Sequence, residues 1–163
     1  MKELLIVFHS VTDGARQMAH AAARGAAQES EVRVRLLMAV QAGPDDVLHA
    51  DGYLFITPEN LAAMAGMMKD FFDRTYYPVL DKIAARPYAA LICAGSDGHN
   101  AARQIARIAT GWRLRQVSEP LILCTHAQTA EAIQAAKVIG DDDLSRCSDI
   151  GTALAAGVAL GVF

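Results

Sequence analysis

Apolar residues fall along this chain in two alternating patterns, short unbroken runs and stretches with helical spacing, and each buried run is followed by such a stretch. Leu4 to Phe8 (LLIVF) is continuous and apolar, as a strand buried on both faces of a parallel sheet would be. From Gly14, residues Ala15, Met18, Ala19, Ala22 and Ala26 recur at helical spacing, while Arg16, Gln17, His20 and Arg24 fall on other faces. Glu31 to Leu37 (EVRVRLL) alternates apolar with charged positions, which predicts a half-exposed edge strand, and Gly43 and Pro44 mark a turn. Gly52 to Thr57 (GYLFIT) predicts the next buried strand, broken by Pro58; Met64, Met67, Met68 and Phe71 then line one helical face, opposite Lys69, Asp70, Asp73 and Arg74. Tyr88 to Ala94 (YAALICA) predicts another buried strand ending at Gly95, followed by a helical face of Ala101, Ile105, Ile108 and Trp112. Leu121 to Cys124 is a fifth strand. Helical stretches around Thr129 to Ile139 and Leu144 to Leu160 follow it, separated by the polar run Gly140 to Asp143.

Strands alternating with helices predict an α/β fold, a doubly wound five-stranded parallel sheet in the order 2-1-3-4-5 with helices on both faces. At 163 residues and 53% hydrophobic, the chain is expected to form a single domain over residues 1–163 and is excluded from the disordered class. Its 15 Lys and Arg against 18 Asp and Glu, a net charge of -3, give no footprint for nucleic acid or an anionic membrane face. Cys93, Cys124 and Cys147 are odd in number, without a C-x-x-C pair or a His-rich partner cluster, which fits a reduced, cytoplasmic compartment and no metal site. The first apolar run has no cleavage site of a signal peptide after it. Gly151 to Phe163 is uncharged but falls short of the roughly 20 residues a membrane span needs, and reads as the buried end of the last helix.

In a doubly wound sheet, ligands sit beyond the carboxyl ends of the strands, where the order reverses between strands 1 and 3. The first loop there, His9 to Ala15 (HSVTDGA), carries the hydroxyls of Ser10 and Thr12 and leads into a helix at Gly14. Backbone N–H groups, a helix dipole and two hydroxyls together make a phosphate site that needs no cationic side chain. The alternative is that Ser10, Thr12 or Asp13 caps the helix. The loop is neither G-x-G-x-x-G nor a Walker loop with Lys. The third loop, Gly95 to Asn100 (GSDGHN), has two glycines that let backbone approach a flat ring. No Ser-His-Asp constellation, paired carboxylates or reactive thiol emerges, which favours a cofactor carrying the chemistry.

The second loop and the helix after it, TPENLAAMAGMMKDFFDRTYYP (Thr57 to Pro78), resemble the flavodoxin-like NAD(P)H:quinone oxidoreductases and FMN reductases. In those a Pro-containing loop after strand 3 leads into a Met-rich helix ending in K-x-F-x-D-R-T. The match is most specific over Met64 to Thr75, and Ser10 with Met18 and Ala19 fits the same family. The resemblance implies a flavodoxin-like fold and three loops around FMN. Ser10, Val11, Thr12, Asp13, Gly14 and Ala15 would hold the phosphate; Pro58, Glu59, Asn60, Leu61, Ala62 and Met64 would line the isoalloxazine; Gly95, Ser96, Asp97 and Gly98 would lie on its other side. Asp13 stands where flavodoxins usually have Gly, and Ala15 where they have a third hydroxyl, so the phosphate shell is one hydroxyl poorer with a carboxylate close by. The aromatics that stack on the flavin in electron carriers have no counterpart in TPENLAAM, where Asn60 and Leu61 stand instead.

On this resemblance the chain is expected to be an FMN-dependent oxidoreductase passing electrons from NAD(P)H through the flavin to a quinone or similar small-molecule acceptor. His99 is its candidate proton donor, or else a loop histidine facing water. Glu59 either bonds the flavin edge or is an exposed loop carboxylate. Arg103, Arg107, Arg113 and Arg115 either attract a dinucleotide phosphate or form a solvated helix face. An electron-carrier flavodoxin and a flavin-free binding protein on the same fold stand as alternatives. The apolar tail from Ala153 and the Met-rich helix are the surfaces on which a homodimer or homotetramer would form.

Overall fold

In the computed structural model, which describes residues 1–163, the elements run β1 (Lys2–Phe8), α1 (Gly14–Ala26), β2 (Val32–Met38), α2 (Pro44–His49), β3 (Gly52–Asn60), β4 (Ala63–Met64), α3 (Gly66–Val79), β5 (Pro87–Ala94), α4 (His99–Gly111), β6 (Arg115–Gln116), β7 (Leu121–Cys124), α5 (Ala130–Gln134) and α6 (Asp141–Leu160). The main sheet is ordered β2-β1-β3-β5-β6 and these strands are parallel. Its fifth position is split. β6 pairs with the start of β5, and β7 pairs with its end. The doubly wound architecture is the one the alternating pattern predicts.

Side chains alternate across the three inner strands into two separate cores. Leu5, Val7, Tyr53, Phe55, Tyr88, Ala90 and Ile92 enter one core with Phe71 and Phe72 of α3 and Ile105 of α4. Leu4, Ile6, Leu54, Ile56, Ala89, Leu91 and Cys93 enter the other with α1 and α6. A continuous apolar run is what a period-two element needs when both of its faces are buried. The first core is built from rings: Phe72 lies 5.1 Å from Phe55, 5.1 Å from Phe71 and 5.6 Å from Trp112 between centroids. The second is aliphatic, with Phe8 its one buried ring, and α1 and α6 approach closely there through Ala22, Gly25 and Gly151.

Several local expectations are corrected. Gly43 is not a plain turn residue but the N-cap of α2, with Pro44 at the first helical position, where its missing N–H costs nothing. Pro58 does not break β3, which runs on to Asn60; Pro58 lies past Ile56, the last residue paired with β1, and proline is tolerated where one side of a strand is free. Met64 belongs to β4 rather than to the helical face, and Met67 is exposed, so only Met68 and Phe71 of that set face the core from α3. The helix expected over 129–139 is confined to Ala130–Gln134, with every residue exposed. Gly140 to Asp143 is not a spacer: Gly140 caps α6 and three aspartates occupy its first turn, where the helix dipole favours negative charge. Cys124 is half-buried rather than interior. The chain end after Leu160 is largely exposed, although Phe163 folds back over Gly157. No helix is long and apolar enough to cross a membrane.

β3 and β4 form a tight antiparallel hairpin, with Glu59 opposite Met64 and Asn60 opposite Ala63. Its two turn residues, Leu61 (φ 49°) and Ala62 (φ 60°), are both left-handed, as a type I′ turn demands, yet neither is Gly or Asn. Each L residue there costs roughly 1–2 kcal/mol, against about 0.5–1 kcal/mol for the extra chain entropy of a glycine. Ala62→Gly should therefore raise unfolding stability by about 0.5–1 kcal/mol, whereas Ala62→Val should lower it; chemical denaturation of the two variants checks this.

Gly151 gives a second test. A Cβ built on it would lie 2.0 Å from the backbone oxygen of Ala22, whereas one built on Gly66, at the start of α3, meets nothing within 4 Å. The usual gain from replacing a helical glycine is reversed where backbone must move. Gly151→Ala should destabilise by about 1–3 kcal/mol and Gly66→Ala should stabilise by about 0.4–1 kcal/mol, read as opposite shifts in melting midpoint.

Candidate functional site

The carboxyl ends of β1, β3 and β5 deliver three loops to one edge of the sheet, where a groove of about 590 Å³ opens beside a smaller inner pocket of about 70 Å³. The inner pocket shares Val11, Thr12, Pro58, Glu59, Asn60 and Gly95 with it and alone is lined by Ser10, Ala15, Cys93, Thr125 and Lys137; together the two make up the groove. Ser10, Val11, Thr12 and Ala15 line it from the first loop, Pro58 to Ala62 from the second, and Gly95 and Ser96 from the third. A fourth wall comes from the segment after β7, through Thr125, Ala127, Ile133 and Lys137. None of the lining residues is aromatic. Asp13, Gly14, Met64, Asp97, Gly98 and His99 adjoin this groove in sequence but do not line it.

The inner end of the groove is built to receive an acceptor of hydrogen bonds. Asp13 stands at the N-cap of α1 in the left-handed conformation, and no side chain caps the helix. Its carboxylate turns instead to Arg16 and to Gln17 Nε2 (3.0 Å). The Arg16 guanidinium holds that carboxyl below its usual range. The free N–H groups of the first turn and the dipole behind them are thus left uncapped. Beside them the Ser10 hydroxyl oxygen is fully buried with no hydrogen-bond partner. Only Ser10 and Ser118 carry such a hydroxyl, and Ser10's is the one beside the groove, where it leaves a hydrogen bond for a water or a ligand atom to complete. Packing around the loop is tight, since a Cβ on Gly14 would meet Cys93 Sγ at 2.6 Å. Burial pushes the Cys93 thiol up to about 11, so it lines the groove as an inert wall.

The second and third loops are clamped to each other. Glu59 Oε1 accepts from the N–H of Gly98 (2.8 Å) and Oε2 from the N–H of Ala101 (3.1 Å), so this carboxylate caps α4 from across the sheet. Asn100 Nδ2 donates to the Ala62 carbonyl, Gln104 Oε1 accepts from Met64 N–H (2.9 Å), and Thr57 Oγ1 accepts from Ala65 N–H (3.2 Å). Gly98 is left-handed (φ 91°), and a side chain there would strike Ile122 at 2.5 Å. Leu61 projects fully exposed from the hairpin tip.

His99 opens α4 with its side chain 82% exposed and its ring nitrogen 2.6 Å from Asp97 Oδ1. That contact holds the Asp97 carboxyl below its usual range. Among the arginines, Arg103 bonds Asn100, Arg113 pairs with Asp81, Arg107 and Arg115 face water, and none of the four lines the groove. Sequence reasoning missed the whole fourth wall. Lys137 N–H donates to the Thr12 carbonyl (2.8 Å), Gln17 Nε2 donates to the Lys137 carbonyl (2.7 Å), and Ile139 N–H donates to Gln17 Oε1 (3.0 Å). Residues 120 positions apart are thereby fastened together, and no local signal announces such a contact.

Comparison with known proteins agrees with this geometry. The chain is 34% identical over 95 residues (46% of this chain, 48% of the relative) to an NAD(P)H dehydrogenase (quinone) of Acidithiobacillus ferrooxidans. It is 30% identical over 98 residues (60% and 53%) to a flavodoxin of Aquifex aeolicus. It spans about half the length of these curated relatives. Among solved structures, the flavodoxin, WrbA-like protein from Agrobacterium tumefaciens superposes with a TM-score of 0.75 at 18% identity, over 98% of this chain and 99% of that one, a likeness of fold. Residues 38–129, more than half of the chain and including the second and third loops, match the model for NADPH-dependent FMN reductases, and the chain belongs to that family.

Proposed function

We propose that this protein binds FMN in the three-loop groove and passes electrons from NAD(P)H to a quinone or similar small-molecule acceptor. The observation that carries the reading is the buried, unpartnered Ser10 hydroxyl beside an uncapped helix N-terminus, in an inner pocket that adjoins a groove of about 590 Å³. The chemistry supplied by bound FMN is two-electron transfer between a nicotinamide and the acceptor. The chain's own part is to bind and orient. Ser10, Thr12 and the first-turn N–H groups of α1 take the phosphate, while the Pro58–Ala62 hairpin and Gly95–Ser96 flank the ring. Glu59, Asn100 and Gln104 set the spacing between those two walls.

With no aromatic side chain in the groove lining, one ring face is open to a second ligand, and nicotinamide and acceptor would occupy it in turn. An electron carrier would instead keep that face covered. His99, the candidate proton donor, is 82% exposed and outside the groove lining, so its part would be limited to an acceptor that extends beyond the groove. Three free thiols suit a reducing compartment.

Two measurements test this. FMN at about 100 times its dissociation constant should add roughly 2.7 kcal/mol of stability, and Ser10→Ala should weaken FMN by about 1.5–3 kcal/mol while leaving riboflavin, which lacks the phosphate, little changed. A melting curve unmoved by millimolar FMN would sink the reading. Separately, stopped-flow mixing of the FMN-loaded protein with NADH or NADPH should bleach the flavin absorbance in one rapid phase, and quinone should restore it with ping-pong kinetics. Failure of both nucleotides to reduce it would favour the electron carrier.

A further inference from the structure

One cationic side chain lines the inner pocket of the groove, that of Lys137, and it comes from the irregular segment between α5 and α6. Its backbone is anchored on the first loop, through the Thr12 carbonyl and Gln17, and its Cβ would lie 3.4 Å from a Cβ built on Gly14. The lysine stem therefore starts against the N-terminus of α1. Its side chain lines the same inner pocket as Cys93, which packs against Gly14. All three ammonium protons are engaged with the carbonyl oxygens of Ala132 (2.9 Å), Ile133 (2.8 Å) and Ala135 (2.5 Å), in and just after α5. Those carbonyls belong to exposed residues, so water can replace the lysine there.

The first loop can bind an anion without a cation, but it holds less to offset the charge than two hydroxyls and a bare helix end would suggest. Ala15 is buried and offers no hydroxyl, and Asp13 keeps an ionised carboxylate at the head of α1. A phosphate monoester brings a charge of about -1.5 to -2 at neutral pH. Hydroxyls and amides hold such an anion, and a lysine ammonium beside them would add formal counter-charge and hence affinity. Arg16 is already engaged with Asp13 and lies outside the groove.

Resting on the flavin reading above, we propose that Lys137 is the counter-charge of the FMN phosphate, exchanging at least one α5 carbonyl for a phosphate oxygen when the cofactor binds. Lys137 would then make the site selective for phosphorylated over unphosphorylated flavin and link occupancy of the groove to the α5 turn.

Flavin fluorescence titrations with FMN and with riboflavin, on the wild type, Lys137→Met and Lys137→Arg, test this. Lys137→Met should weaken FMN about tenfold to a hundredfold, as loss of a hydrogen bond to a charged group does, and riboflavin by less than about threefold on the same grounds. Lys137→Arg should recover most of the FMN affinity. Raising salt should weaken FMN on the wild type, and Lys137→Met should flatten that dependence, which loosening of α5 would not do. Equal weakening of both flavins, or an unchanged FMN affinity, overturns the role of Lys137 while leaving the flavin site standing. A wild type that binds neither flavin overturns the flavin site and Lys137 with it.

Discussion

The parallel pairing of β1, β3 and β5, each buried on both faces, is the constraint from which the rest of the structure follows. Parallel strands need a crossover between them, and a right-handed helical crossover brings every strand out at the same edge. Register then sets the depth of each loop. Phe8 is level with Ile56, and Ile56 with Leu91, so β3 and β5 both run beyond the end of β1. The first loop accordingly floors the groove, while the second and third rise as its walls.

Two helices, α1 and α4, present their N-termini at that edge, and the chain treats them in opposite ways. Glu59 reaches across from the β3 hairpin and caps α4, so that dipole is met by a carboxylate of the protein itself. The head of α1 is left uncapped. Asp13, the residue best placed to cap it, faces outward to Arg16 and Gln17. A single fold has thus one helix end capped by its own carboxylate and one left bare beside the groove. The same carboxylate that neutralises α4 also fixes the distance between the groove's two long walls, so Glu59 serves the site by positioning backbone rather than by touching a reactant.

How far this was legible in the sequence depends on the range of the contacts involved. The central strands were plain because burial on both faces leaves an unbroken apolar run, as in Leu4 to Phe8 and Tyr88 to Ala94. The three loops followed from topology. Pro58 misled because proline opposes a strand only where its N–H is wanted, and the end of β1 had removed the partner. Met64 kept helical spacing with Met67 and Met68, yet Gln104 and Glu59 hold it in a hairpin. The segment 129–139 is rich in helix formers, and only its first turn is helical; its remainder is held extended by Gln17 from a helix 120 residues away. Local propensity loses to long-range bonds there, and Lys137 was invisible for the same reason.

The two cores are built unequally, and each supports a different side of the groove. On the α3–α4 face, large rings fill the space beneath the hairpin, and Trp112 Nε1 ties α4's end to the Tyr76 carbonyl of α3 (3.0 Å), so the walls stand on a stiff base. On the other face α1 lies close to α6 through glycine and alanine, which lowers α1 toward the sheet and brings its bare end level with Cys93. A bulkier residue at Gly25 or Gly151 would lift α1 and draw the first loop away from β5. The small-residue contact between two helices remote from the groove therefore bears on the position of the first loop at its inner end.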